Sequence, residues 1–187
     1  MPGPLAPPWT TTVWLNTPEP LSLEDLRGRV VLVHAFQMLC PGCVTRGLPQ
    51  AQRAAEAFAG APLSVVGLHT VFEHHEAMQE VSLRAFLHEY RIRFPVGIDA
   101  PGAEGERIPE TMRAYGLQGT PSTLLIDGAG RLRDHHFGVH DDLILGASIQ
   151  HLLDELKGTT SSSDRDEAGS GQGEDRPGTC TEDTCSS

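Results

Sequence analysis

Seven consecutive residues, Val30–Phe36 (VVLVHAF), are apolar except for one histidine and rich in β-branched side chains. Such a run reads as a strand buried on both faces, the kind found at the centre of a sheet covered by helices. It leads into Cys40-Pro41-Gly42-Cys43, and Pro41–Phe58 then reads as a helix with Pro49 as an internal kink. Leu63–His69 is a second buried strand, so the centre of the chain reads as strand, helix, parallel strand.

Beyond it, apolar residues at helical spacing within Glu76–Arg91 predict an amphipathic helix, followed by a short strand over Phe94–Ile98. A short helix near Glu110–Tyr115 precedes Ser122–Asp127 and Arg131–Phe137, two segments joined by Asp-Gly-Ala-Gly and read as an antiparallel hairpin. Asp141–Leu156 closes the unit as a helix. Parallel units that feed a hairpin imply an α/β fold, a mixed sheet flanked by helices. Before the central strand, residues 1–12 read as an N-terminal arm, Val13–Leu15 as a short apolar segment and Leu21–Leu26 as a turn of helix. The folded domain is expected over residues 13–157.

From Gly158 onward almost no apolar residue remains, so residues 158–187 read as a disordered tail. Its seven acids (Asp164, Asp166, Glu167, Glu174, Asp175, Glu182, Asp183) and two bases (Arg165, Arg176) leave five of the chain's 11 net negative charges there, 7 minus 2. A charge of −11 over 187 residues has the wrong sign for neutralising phosphates, so neither nucleic acid nor an acidic membrane is expected as a partner. The opening MPGPLAPPW has no basic and apolar leader pattern, and cytoplasmic localisation and a monomer are the expectations.

The four cysteines are too few for a disulfide scaffold. Cys40 and Cys43 fall where a strand ends and a helix begins, and a thiol at a helix N-terminus faces unpaired N–H groups that favour its thiolate. Spaced as they are, Cys40 can attack a partner disulfide and Cys43 can resolve the mixed disulfide. Pro41 suits the first helical position, where its missing N–H costs nothing. A zinc knuckle would need a second ligand pair within the fold, and the remaining cysteines, Cys180 and Cys185, lie in the tail. There they read either as silent thiols or as a pair able to exchange with Cys40.

With Arg27-Gly28-Arg29 before VVLVHAF, the Cys-Pro-Gly-Cys motif, and Tyr115-Gly116-Leu117-Gln118-Gly119-Thr120-Pro121-Ser122-Thr123 leading into LLID, the chain resembles the thioredoxin superfamily. The resemblance covers roughly Leu15–Leu156 and is specifically to the TlpA-like and redoxin (AhpC/TSA-related) thiol-disulfide oxidoreductases. It implies a thioredoxin fold with a helix and strand inserted over Phe72–Arg107. It also implies that Pro121 is cis and that Thr120 presents its backbone beside the dithiol as a substrate platform. The function implied is exchange with a protein disulfide or a small-molecule thiol substrate, served by a cellular reductant or oxidant, with no cofactor and no metal.

Two departures matter. Where thioredoxin has a buried Asp, six residues before the first cysteine, this chain has His34, read either as a proton relay for Cys43 or as a core histidine bonded to a carbonyl. Leu39 replaces the usual aromatic residue before the first cysteine. Peroxidatic enzymes of the fold resemble P-x-x-x-[ST]-x-x-C, and here those positions hold Val33 and Gln37, which disfavours a conventional peroxiredoxin and leaves an atypical peroxiredoxin-like thiol peroxidase at Cys40 as an alternative. Copper carriers of the Sco type are the other alternative. For them the candidate ligands are Cys40 and Cys43 with a loop histidine, drawn from His69, Glu73, His74 and His75 after the second strand or from His135, His136 and His140.

Overall fold

In the computed structural model, residues 3–166 are described, with the backbone alone for 159–166. A six-stranded sheet of order β1-β4-β3-β2-β5-β6 forms the middle layer. Its strands are β1 (Thr11–Leu15), β2 (Val30–Phe36), β3 (Leu63–His69), β4 (Val96–Asp99), β5 (Ser122–Ile126) and β6 (Leu132–Phe137). The continuous apolar run is the central strand, parallel to β3 from Val30↔Leu63 to Phe36↔His69 and antiparallel to β5 with His34 opposite Thr123. At the edges, β1 pairs antiparallel with β4, and β6 with β5.

The period-2 alternation of β2 divides the core. Val30, Leu32 and Phe36 join the face covered by α1 (Leu48–Ala57), α2 (Glu80–Glu89) and α4 (Asp142–Asp166). Val31, Val33 and Ala35 join the opposite face, covered by α3 (Glu110–Ala114), Leu23 and Leu26. Helix starts are fixed by acids: Asp99 accepts from the Thr111 and Met112 N–H groups at 2.8 and 2.9 Å, and Asp141 accepts from Leu143 and Ile144 at 2.9 and 3.1 Å. The segment Phe72–Arg107 supplies α2 and β4. Among the described residues no helix is long and apolar enough to cross a membrane.

Four sequence expectations differ from the structure. Val13–Leu15 belongs to a strand, β1, that begins at Thr11, and the residues before it are held to the domain rather than free: Tyr115 Oη donates to Pro7 O at 2.6 Å and Ala6 N to Gly130 O at 2.9 Å. Leu21–Leu26 makes no helix; Leu26 and Arg27 bond three residues back, to Leu23 and Glu24, and the chain then turns at Gly28 with φ +78°. Pro49 does not kink a continuous helix. The segment opens with a π-helical turn, Cys43–Gly47, and α1 begins at Leu48, which puts Pro49 in a first turn that needs no N–H. Helix α4 runs to Asp166, so the first residues of the expected coil at 158–187 are helical; the rest of that expectation, with Cys180 and Cys185, lies outside the described residues.

Candidate active site

The dithiol sits at the carboxyl end of β2. Cys40 N–H donates to Gln37 O at 3.3 Å, and Val44 N–H returns to Cys40 O at 3.1 Å, which closes the first helical turn on Cys40. Within that turn the Cys43 N–H points at Cys40 Sγ, 3.2 Å away. An amide aimed at sulfur stabilises negative charge on it, and the turn's dipole acts in the same sense. Both cysteines are free thiols, Cys40 half-buried and Cys43 fully buried. Burial, and next the neighbouring Cys40 thiol, push the Cys43 thiol up to about 12, against the opposing pull of the Gln37 backbone and the Thr120 hydroxyl.

Thr120 and Pro121 come to this turn from the start of β5. The Thr120–Pro121 peptide bond is cis, and the Thr120 carbonyl lies 3.5 Å from Cys40 Sγ, which donates to it. The loop is tied at both sides by Ser122 Oγ donating to Gly119 O and Gly138 N–H donating to Pro121 O, each at 2.8 Å. Two glycines let the turn lie against the proline: a Cβ on Gly42 would stand 3.3 Å from Pro121 Cδ, and one on Gly47 would stand 3.2 Å from Pro121 Cβ. Pro41 is exposed on the outer side. Leu39, next to Cys40 in the chain, is 56% exposed, and Phe137, 50% exposed, packs on Gly119 beside the cis-proline loop.

His34 lies beneath this turn. Its imidazole occupies the space that a Gly47 side chain would take, its Nε2 is buried without a hydrogen-bond partner, and burial lowers its pKa to about 4. The ring is therefore neutral at pH 7. Gly47→Ala should consequently be destabilising. Alanine would gain about 1 kcal/mol in helix propensity, but overpacking of this kind costs about 1–3 kcal/mol, and a planar ring buried in the core, whose Cε1 and Nε2 the new Cβ would meet, has little room to yield. The expected result is a lower urea midpoint at unchanged m-value; a higher midpoint would show that the ring moves aside freely.

The candidate histidines and Glu73 do not gather into one site. His69 is buried, whereas Glu73, His74 and His75 are exposed on the following loop. On β6 neighbouring residues face opposite ways, so His135 is exposed while the His136 ring packs against His140, 4.2 Å between centroids; His140 itself bonds Asp134 at 3.0 Å. Among the described residues no three His, Cys, Asp or Glu side chains form a group that could hold a metal ion. Residues that the sequence reading left without a role here are Gly47 and the side chain of Gln37. A glycine inside a predicted helix was the available signal for the first.

A thiol pair at the tip of a helix, faced by a cis-proline loop on a mixed sheet of this order, defines a thioredoxin-like protein of the thiol-disulfide oxidoreductase class. Comparison with known proteins carries this to a family. The profile of the AhpC/TSA family matches residues 2–135, and the chain belongs to that family. The crystal structure of a thioredoxin-like superfamily protein is 56% identical, with a TM-score of 0.78 over 81% of this chain and 97% of the other. A thiol-disulfide isomerase from Corynebacterium glutamicum is 49% identical, with a TM-score of 0.75 over 79% of this chain and 96% of that one. Protein DipZ of Mycobacterium tuberculosis is 30% identical over 78% of this chain, which spans only 20% of DipZ.

Proposed function

We propose that the protein exchanges electrons with protein or small-molecule disulfides through the Cys40–Cys43 dithiol. The observation that carries this is the asymmetry of the pair. Cys40 is reachable and receives an N–H at 3.2 Å, whereas Cys43 is sealed behind it. The reachable sulfur attacks and the sealed one resolves.

In the reductive direction the Cys40 thiolate attacks one sulfur of the partner's disulfide. A Cys40–partner bond forms and the partner's other sulfur leaves as a thiolate. Cys43 then loses its proton and attacks Cys40 Sγ; the Cys40–Cys43 bond forms and the second partner thiolate leaves. The partner gains two electrons and the protein loses two. Thr120 and Pro121 would hold an extended partner segment beside Cys40. His34, a neutral ring with an unpaired Nε2 buried beneath the turn, would be the relay for the Cys43 proton.

Gln37 stands where a peroxidatic site of this fold would carry a hydroxyl, so Cys40 lacks that group for orienting a peroxide. The test of the disulfide-exchange reading is a redox titration in glutathione buffers, followed by mass spectrometry of alkylated protein. One two-electron transition of Cys40 and Cys43, between about −270 and −120 mV, is the expected result. Thiols that stay reduced throughout that span, or that stop at a glutathione adduct on Cys40, would remove the basis for it.

A further inference from the structure

Cys43 bears a burden that Cys40 does not: it must become a thiolate inside the core. Close to it stands a polar side chain to which the mechanism above assigns nothing. Gln37 is 1% exposed at the end of β2. Its Nε2 is 3.5 Å from Thr120 Oγ1, and its Oε1 is buried with no hydrogen-bond partner. A half-satisfied buried amide is costly, and an apolar side chain of the same size would avoid the cost.

A threonine hydroxyl has one hydrogen and two lone pairs. With the Gln37 amide donating into Thr120 Oγ1 at 3.5 Å, the hydroxyl hydrogen is left for another acceptor, and Thr120 stands beside the dithiol, its carbonyl 3.5 Å from the same Cys40 Sγ that the Cys43 N–H meets at 3.2 Å. We propose that Gln37 is a positioning residue for the resolving step: its side-chain amide holds the Thr120 hydroxyl with its hydrogen turned to Cys43 Sγ. This rests on the reading of Cys43 as the resolving thiol.

The same end of the site carries a second donor, since the backbone of Gln37 also favours the Cys43 thiolate, as does the Thr120 hydroxyl itself. Other titratable and charged groups around Cys43 are few. Its own turn has Cys40 and the exposed Arg46, β2 has the neutral His34, and the cis-proline loop from Gly116 to Ser122 has none. Arg53 on α1 is already paired with Asp142 of α4 at 2.9 Å. With so little charge at hand, a pair of neutral donors is the available means of favouring the thiolate of a buried thiol. The amide orientation matters: turned the other way, Oε1 would accept the hydroxyl hydrogen and the device would be lost.

The test separates the two chemical steps in rapid-quench reactions of reduced full-length protein with oxidised glutathione. In Gln37→Leu, formation of the Cys40–glutathione adduct should stay within about twofold of the unaltered protein. Conversion of that adduct to the Cys40–Cys43 disulfide should slow about tenfold, with its pH profile displaced upward by about one unit, since each unit of pKa changes the thiolate fraction tenfold. Thr120→Val should slow resolution similarly, the double variant should be no slower than the worse single one, and Thr120→Ser should restore the rate. Losses that multiply in the double variant, or a resolution rate and pH profile in Gln37→Leu equal to the unaltered protein's, would overturn the proposal. So would a Thr120→Ser protein as slow as Thr120→Val, a comparison that stands even if Gln37→Leu does not fold. Failure of the unaltered protein to close Cys40 on Cys43 would instead dispose of the dithiol reading itself.

Discussion

Cys40→Ser should reduce disulfide-reductase activity, measured on insulin with a dithiol donor, to the uncatalysed rate. Cys43→Ser should behave differently, accumulating protein joined to its partner through Cys40. The two outcomes follow from the unequal settings of the sulfurs. Cys40 is half-buried and is met by the Cys43 N–H and the Thr120 carbonyl, at 3.2 and 3.5 Å. A serine hydroxyl there is no nucleophile towards sulfur, so the first bond never forms. Cys43 is wholly enclosed and held up to about 12, so it makes no contact with a partner and acts only once Cys40 is already bonded. Removing it leaves the first step intact and deletes the second. Full activity in Cys40→Ser, or trapping by Cys40→Ser rather than by Cys43→Ser, would mean that the assignment is inverted or wrong.

The other large effect is on stability in acid. His34 and His69 are buried, neither is protonated in the native state at neutral pH, and burial lowers both pKa values from 6.5 to about 4. Both rings carry unpaired nitrogens in the core, two of them on His69, where the imidazole lies 5.3 Å from Phe36. Above pH 6.5 the unfolded chain gains nothing from these groups and their full contribution is present. As pH falls through 6.5 towards 4, the unfolded chain binds protons that the native state refuses, and stability is lost. Each histidine accounts for up to about 3 kcal/mol by pH 4. Together that is comparable with the whole stability of many domains, about 5–15 kcal/mol.

Asp99 acts with the opposite sign, because burial raises its carboxyl, but one such group does not offset two histidines. Urea midpoints between pH 7.5 and 4.5 should fall steeply, and His69→Leu should flatten about half of the slope. A midpoint that stays level across this range would show that the rings find partners or water in solution.

The order of elements is legible in the sequence. Val30–Phe36 and Leu63–His69 read as buried strands through their mostly apolar, valine-containing runs, and the turn at Asp127–Gly130 marks the hairpin by its Asp and Gly residues, the Asp127 carboxylate accepting from Ala129 and Arg131 at 3.0 and 2.9 Å. The Cys-Pro-Gly-Cys motif identified its own location, at a strand-to-helix junction, since its chemistry depends on near neighbours. Local signals are misleading where the fold overrides them: over residues 3–12, which look like an arm yet are pinned to β6 and Tyr115, and at Pro49, which looks like a kink yet falls in a first turn.

Adjacent residues thus determine which segments are strands and helices and where two thiols can share a turn, because those properties depend on side-chain period and on the chemistry of neighbours. Which of the two thiols is sealed, that Thr120 arrives at Cys40 from 80 residues away, and that His34 fills the space left by Gly47 depend on how the sheet is ordered. Burial and long-range approach are properties of packed layers, and no period along the chain encodes them.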